Sequence, residues 1–587
     1  MMIKRLAHEV LKRLRRPVDR HFANSHPVGL AARMIDFAKP VIRYMHANDK
    51  WTLAVHAPEW MKVAHMPPIA PLPRPKRIFM MTAYRGQLSL DLPLAALLAW
   101  RGHQVTMGYF PKLGSPTKPP EVDHDSAEPY LDAALARVTT ASGRKVHMVN
   151  LAPLVGQHEA EVDEKMIVQQ SFSDAIMKLG RETIDPQNIR DAEILAYYQE
   201  LGRRTQSAIH AFFRQQRDEF DLVLVANGAT FESAHLCCVA NQRGITFNTY
   251  EKFSFRHIRL MGHGSHFLKF TDLRSVWRRR AELGYTNPET KRAAITAAMR
   301  LIDERRNAGK NNWAWAYQSA PGQPASTALA ASGLASGEPF VLVCPNVPFD
   351  AGYFEFTTVF PSMRSWLVET VKALLQMDTI KVVVRAHPAE VLHYGGTESA
   401  KSILDSAGLS SHPRLVLIPG GEKVNTYGLM EQCKFGAVFS STTGLELAML
   451  GKQVVVGADV YYGKCGFTLD ADDAASYLDA LRRLVANPAK ELVNPHSDEA
   501  QLFHFMLHHV VQWPFPYDKP DDILRMPPHR LVASPELGRY LPTLDALTAT
   551  RPEFDASMPE WLAASTCGHL PDLVPRAHIA KVASQIN

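Results

Sequence analysis

No CxxC pair occurs in the 587 residues, and the six cysteines (Cys237, Cys238, Cys344, Cys433, Cys465, Cys567) are scattered. That usage suits a reduced chain and suggests neither a disulfide framework nor a zinc site. No apolar run approaches the roughly 20 residues a spanning helix needs; Leu92–Trp100 comes nearest and is far too short. Arg and Lys recur through the first sixteen residues, which leaves no apolar signal-peptide core, so a cytoplasmic protein is expected. Excess charge is scarce too. The net charge is +6, and residues 1–20 alone hold seven basic side chains against Glu9 and Asp19. A nucleic-acid footprint would spread over the fold instead of one end, so no nucleic-acid partner is expected.

What remains is an ordinary globular composition, 46% hydrophobic and 21% charged. A single core stops growing beyond about 250–300 residues, so at least two domains are expected. Residues 1–65 read as a helical N-terminal arm. Within it Ile3, Leu6, Val10, Leu11 and Leu14 share one helical face with basic residues around them. Residues 2–16 therefore either lie on an anionic inner-membrane surface or dock on the protein itself. A second helical stretch, Val28–Met45, is interrupted by Pro40 and leads to a proline-rich connector, Met66–Lys76.

Residues 76–310 read as a first α/β domain. It opens with a strand Arg77–Thr82, a loop Tyr84–Leu90, a helix Asp91–Arg101 ended by Gly102, and a strand Gln104–Tyr109. The same alternation returns as Leu222–Ala226, a turn at Asn227–Gly228, a helix to Arg243, and a strand Ile245–Thr249 running out onto Tyr250–Glu251. A helix from Pro288 to about Ala308 closes this half. The Ala/Ser/Gly/Pro-rich residues 318–338 read as the interdomain linker. Residues 339–493 form the second α/β domain, with strands at Phe340–Cys344, Ile380–Arg385, Leu415–Ile418, Phe435–Phe439 and Val454–Val456 and a helix at Ser362–Gln376. Residues 494–587 make a helical and loop-like tail. The fold expected is two Rossmann-like domains facing a cleft at their strand C-termini, where ligands bind.

Chemistry concentrates in the second domain. The strand Phe435–Phe439 ends on four hydroxyl residues, Ser440, Ser441, Thr442 and Thr443, and Gly444 opens a helix. Unpaired N–H groups and hydroxyls at such a place suit a phosphate, and four in a row exceed what N-capping needs. It is not a Walker A loop, because six residues separate Gly444 from Gly451. Another strand delivers Arg385 and His387 to its end at Pro388, where fixed charge and an imidazole donor suit a leaving phosphate; the plainer reading is a structural histidine in a turn. The loop Val460–Asp470 carries Tyr462, Lys464 and Thr468, which either flank a nucleotide or sugar or simply pack.

No metal is expected. Asp123-His-Asp125 and Asp470-Ala-Asp472 have DxD spacing without a convincing strand before them, and His504 and His508 lack the glutamate of HExxH. A catalytic base would come from the first domain, with Glu251 and Asp91 as candidates. Asp91 reads equally as an N-cap before Pro93, and Glu251 as a surface turn.

The segments RAHP (Arg385–Pro388), SSTTGLELAMLGK (Ser440–Lys452) and YYGKCGFTLD (Tyr461–Asp470), in that order, resemble the capsule polysaccharide biosynthesis proteins, which include the Kdo transferases of capsule assembly. The resemblance covers Val341–Leu484 well and Asp221–Lys252 more loosely. It implies a GT-B fold, a nucleotide-sugar donor held by the second domain, and no cofactor or metal. It puts His387 and Ser440–Thr443 on the donor phosphate and Glu446 on the nucleotide ribose. The function expected is transfer of a sugar from a nucleotide-activated donor to a surface polysaccharide or glycolipid acceptor at the inner face of the membrane. The rival readings are a teichoic-type polyol-phosphate transferase, a sugar-nucleotide epimerase, and a non-catalytic assembly or export component.

Overall fold

The computed structural model describes residues 60–65, 72, 74–82, 85–110, 145–216, 219–229, 231–254, 257–264, 271–278, 280–283, 285–307, 325–331, 334–335, 337–349, 359–377, 380–392, 398–487, 492–510, 512–514 and 541–549. The expected arm helix over residues 2–16, the stretch Val28–Met45, Asp123-His-Asp125 and the tail past residue 549 lie outside the described residues. The chain divides into two compact units. The first draws on residues up to 171, then 193–267 and a return from 513; the second draws on 172–192 and 268–512.

In the first unit, β1 (Arg77–Thr82), β2 (Gln104–Tyr109), β3 (Val146–Asn150), β4 (Leu222–Ala226), β5 (Phe247–Ser254), β6 (His257–His263) and a last short strand, Gln512–Pro514, form one sheet. From that last strand inward the order is β6-β5-β4-β1-β2-β3. The five strands β1 to β5 pair in parallel, and only β5–β6 among the registered pairs is antiparallel. The chain lays β1, β2 and β3 outward, then returns to add β4 and β5 on the other side of β1. The topological switch therefore falls between β1 and β4. β4 is buried at every position, as an apolar strand covered on both faces must be. Phe79 of β1 packs on Phe212 and Phe213 of the helix Ile189–Gln215 and on Phe220, with ring centroids 4.9, 5.2 and 5.5 Å away.

Two sequence expectations are corrected in this unit. The first helix runs Arg85–Arg101, so residues 85–90 are not a loop and Asp91 is helix interior, not an N-cap. Burial of Leu90, Leu92, Leu94, Leu97 and Leu98 outweighs the hydrogen bond lost at Pro93. β5 extends to Ser254, because β6 pairs with it antiparallel and places Tyr250 opposite Leu260 and Glu251 opposite Arg259. Glu251 is thus strand, not surface turn. Part of the tail, expected to be helical and loop-like, packs into this unit. The helix Leu541–Thr548 buries Leu544, Ala546 and Leu547 in this unit, and Asn248 Nδ2 donates to the carbonyls of Leu547 and Ala549 at 3.0 and 2.7 Å.

The second unit is built the same way. β7 (Phe340–Cys344), β8 (Lys381–Arg385), β9 (Leu415–Ile418), β10 (Phe435–Val438), β11 (Val454–Val456) and β12 (Leu469–Asp470) form an all-parallel sheet in the order β12-β11-β10-β7-β8-β9. β7 to β11 fall within one residue of the sequence expectation. The switch lies between β7 and β10. The helix Met363–Leu375 starts on a Ser362/Ser365 capping box. Glu182, from the excursion 172–192, reinforces that start: its carboxylate accepts from the Met363 and Arg364 N–H groups at 2.7 and 2.8 Å.

The boundary expected at 318–338 is also corrected. The units part at 267/268, and Ala325–Ala331 inside the expected linker is a helix with Leu329 buried. Alanine-rich sequence suits a helix as well as a spacer. The helix Pro288–Arg306, expected in the first domain, packs in the second unit against the helix Ser497–Phe505 and buries Ala294, Ala297, Ala298 and Ile302. Among the described residues no helix is long and apolar enough to cross a membrane. Two doubly wound sheets, the first parallel from β1 to β5 and the second parallel throughout, each with its own switch point, define an α/β protein of two Rossmann-like domains.

Candidate functional site

The switch point of the second unit gathers the carboxyl ends of three neighbouring strands, β10, β7 and β8. β10 delivers the hydroxyl run. Thr443 N–H donates to Ser441 Oγ at 3.3 Å, and Ser441 Oγ donates to Thr443 Oγ1 at 3.1 Å, so these two hydroxyls close the turn on each other. Among the described residues nothing pairs with the Ser440 or Thr442 hydroxyls, and Thr442 is exposed. The helix that follows, Thr443–Met449, has no side-chain N-cap. Gly444 is required at its start: a Cβ there would run into the Tyr462 hydroxyl and lie 2.8 Å from Val438 Cγ2.

β7 ends on Pro345-Asn346. Asn346 Oδ1 accepts the Ser440 N–H at 3.0 Å, a tie across the switch point that sequence reading missed. The last ladder pair is Val438 with Cys344, two residues earlier on each strand. In-register parallel strands therefore bring residues 440 and 346 side by side.

β8 ends on Arg385-Ala-His387. The Ala389 N–H donates to His387 Nδ1 at 3.1 Å. A peptide N–H can only donate, so Nδ1 is the acceptor and the neutral ring carries its proton on Nε2. Arg385 is 5% exposed, and its guanidinium donates inward to the carbonyls of Pro419 (2.5 Å) and Glu422 (3.1 Å). Burial pushes its pKa down, against the opposing influence of Cys344, Glu390 and Glu422. The expectation that Arg385 presents its charge to a ligand is corrected: it pins the β9 exit loop to the His387 turn. Gly420 of that loop passes so close that a Cβ would stand 2.5 Å from the His387 carbonyl oxygen.

Glu446 sits one turn inside the helix behind the hydroxyl run. Its Oε1 accepts from the Arg305 guanidinium and from the Tyr427 hydroxyl, the latter at 3.1 Å. The pair is buried, with Arg305 at 8% and Glu446 at 7% exposure. Oε2 pairs with no described residue. Neither Arg305 nor Tyr427 was legible as a partner, since 141 and 19 residues separate them from Glu446.

The β11–β12 loop does less than the sequence suggested. Tyr462 is fully buried, packs on Tyr461 and Phe467, and donates to the Ser441 carbonyl at 2.6 Å. It supports the hydroxyl loop from beneath and does not flank a ligand. Thr468 Oγ1 donates to Asp470 Oδ2 at 2.9 Å, which closes that loop locally. Lys464 adopts φ +58° and extends its exposed Nζ to 3.6 Å from Asp472.

In the first unit the two candidate bases separate. Asp91 has no exposed surface, and its Oδ1 accepts the Tyr250 hydroxyl at 2.5 Å. A carboxylate sealed in the core cannot take a proton from a ligand, so the catalytic expectation for Asp91 is corrected to a structural one. Glu251 remains half-buried, and its Oε2 accepts from Asn227 Nδ2 at 2.6 Å. Asn227 reaches this pose with φ +66° at the end of β4, where its N–H also donates to the Tyr250 carbonyl at 2.7 Å. Sequence reading also missed Glu232, in the first turn of the helix Phe231–Gln242 after this β4 turn. Burial pushes its carboxyl up to about 7.

No family model matches this chain, and no curated protein matches it in sequence. Among solved structures it is similar to a beta Kdo 2,4 transferase, KpsC of Thermosulfurimonas dismutans, at 13% identity and TM-score 0.31, over 52% of this chain and 88% of that one. It is similar also to the UDP-GlcNAc 2-epimerase of Neisseria meningitidis bound to UDP-GlcNAc (12% identity, TM-score 0.23, 78% of this chain and 100% of that one). A third is the sucrose-phosphate synthase of Thermosynechococcus elongatus (12% identity, TM-score 0.27, 81% of this chain and 100% of that one). These likenesses are remote, and the fold assignment stands on the two sheets themselves.

Proposed function

We propose that the protein is a GT-B-type glycosyltransferase that holds a nucleotide-activated sugar at the carboxyl ends of β7, β8 and β10. It transfers the sugar to a capsular-type polysaccharide or its lipid-linked precursor. The observation that carries this reading is the donor set at one switch point: the Ser440 and Thr442 hydroxyls and the His387 Nε2–H, with the Glu446 carboxylate fixed behind them. O–H and N–H donors held in place before the reaction stabilise charge that develops on a leaving phosphate. Glu446 Oε2, with Oε1 already engaged, accepts from a ribose hydroxyl. Glu251, oriented by Asn227, takes the acceptor's proton if the reaction inverts. The chemistry asks for no metal, so activity survives EDTA, whereas strict dependence on Mg²⁺ or Mn²⁺ counts against this mechanism.

The test is a thermal-shift screen against CMP-, UDP-, GDP- and CDP-activated sugars, followed by titration of the best binder. Ser440→Ala/Thr442→Ala and His387→Ala weaken binding by about 1.5–3 kcal/mol for each bond lost to a charged phosphate, with circular dichroism unchanged. Absence of any binder, or unchanged affinity in both variants, defeats the assignment.

A further inference from the structure

The switch-point edge contains one more polar group whose orientation is settled by its partner. The Ser440 N–H meets the side-chain amide of Asn346 at 3.0 Å. A peptide N–H has no lone pair to offer, so the atom facing it is the amide oxygen, and Nδ2 necessarily points the other way. Among the described residues no group accepts from Nδ2, although Asn346 is half-buried. A planar amide held by its oxygen presents two N–H donors in a fixed direction, beyond the tie to β10.

We infer that Asn346 is a ligand-binding residue, donating through Nδ2 to an anionic oxygen of the molecule held at this edge while Oδ1 holds Ser440 in place. The inference rests on the donor-site reading above. Its chemistry follows from the neighbours. Among the described residues nothing pairs with the Ser440 and Thr442 hydroxyls, and Oδ1 of Asn346 is already engaged. A cluster rich in donors, with a cation (Arg385) turned inward to main-chain carbonyls, matches the oxygens of a phosphate. In-register pairing of β7 with β10 makes the placement robust, because the two strand ends cannot slide without breaking the ladder.

Two substitutions separate ligand binding from loop support. Asn346→Asp is isosteric and keeps an oxygen for the Ser440 N–H, but it replaces the donor with an anionic acceptor. A ligand-binding Asn346 predicts that Asn346→Asp keeps the parent melting temperature and loses about tenfold to a hundredfold in affinity for CMP, UDP or inorganic pyrophosphate, whichever the parent binds. A purely supporting Asn346 predicts the reverse: Asn346→Asp binds like the parent, and only Asn346→Ala, which removes the acceptor, lowers the melting temperature. That result overturns the inference. His387→Ala is titrated alongside. If His387→Ala weakens binding and Asn346→Asp does not, the donor site stands and the role of Asn346 falls. If the parent binds none of the three probes and neither GDP nor CDP, the donor-site reading falls, and this inference with it.

Discussion

The Tyr462 hydroxyl donates to the Ser441 carbonyl at 2.6 Å and occupies the space where Gly444 lacks a Cβ. Tyr462 is fully buried and Val438 stands on the other side, so neither neighbour can yield cheaply. Gly444→Ala should therefore destabilise by about 1–3 kcal/mol through overpacking, and it should weaken nucleotide binding by distorting the hydroxyl run. Tyr462→Phe keeps the ring and loses one hydrogen bond, at about 1 kcal/mol. Urea unfolding measures both. A Gly444→Ala variant as stable as the parent would show that the loop adjusts freely and that the close approach is incidental.

Arg305 and Glu446 are each about nine-tenths buried, and each is the other's charge partner. Removing one leaves the other charged in the interior, a situation that costs about 3–5 kcal/mol. Arg305→Ala should show that loss, and adding Glu446→Ala should recover part of it. A double-mutant cycle by chemical denaturation gives the coupling. Strictly additive effects would mean that the two side chains act independently.

Burial raises the Glu232 carboxyl from 4.5 to about 7. The folded protein thus keeps a proton that the unfolded chain releases above 4.5. Between those two values the native state binds more protons, so this group's contribution to stability is complete below pH 4.5 and is lost as pH rises through 7. Glu390, also raised to about 7 by burial, acts in the same sense. His235, lowered to about 4 by burial, acts oppositely, its contribution being lost as pH falls below 6.5. Comparing Glu232→Gln with the parent isolates the first group. The variant should gain on the parent as pH rises from 5 to 8, by up to about 3 kcal/mol. Parallel stability curves across that range would contradict the shift.

Residues 2–16, if helical, put six basic side chains around an apolar stripe. Each contributes about 1 kcal/mol near an anionic leaflet, and the attraction decays within a Debye length. The full chain should bind anionic vesicles, release in high salt and ignore neutral vesicles. A chain lacking residues 1–20 should lose vesicle binding while keeping transfer to a soluble acceptor. Lowered thermal stability with unchanged vesicle binding would instead place the arm on the protein itself.

The strands of the second unit were legible because each is a short apolar run bounded by polar or turn residues. FVLVC, KVVVR, LVLI and VVV have few other places to go than a sheet covered on both faces. The hydroxyl run and the RAHP turn were legible for the same reason, since a strand that must stop delivers the next residues to the sheet edge. The switch point itself was not, because strand order depends on which side of β7 the chain returns to, and no local pattern encodes that.

Sequence alone therefore determined where backbone runs buried and where it breaks, because period and composition act over a few residues. Tertiary structure decided what each polar side chain faces. Arg385 looked like a ligand cation and instead meets the carbonyls of Pro419 and Glu422, 34 and 37 residues on. Asp91 looked like a cap or a base and is sealed against Tyr250, 159 residues away. Glu446 acquired Arg305, and Ser440 acquired Asn346, from strands and helices that only folding brings alongside. A buried polar group must find a partner wherever the packing supplies one, and packing is a property of the whole chain.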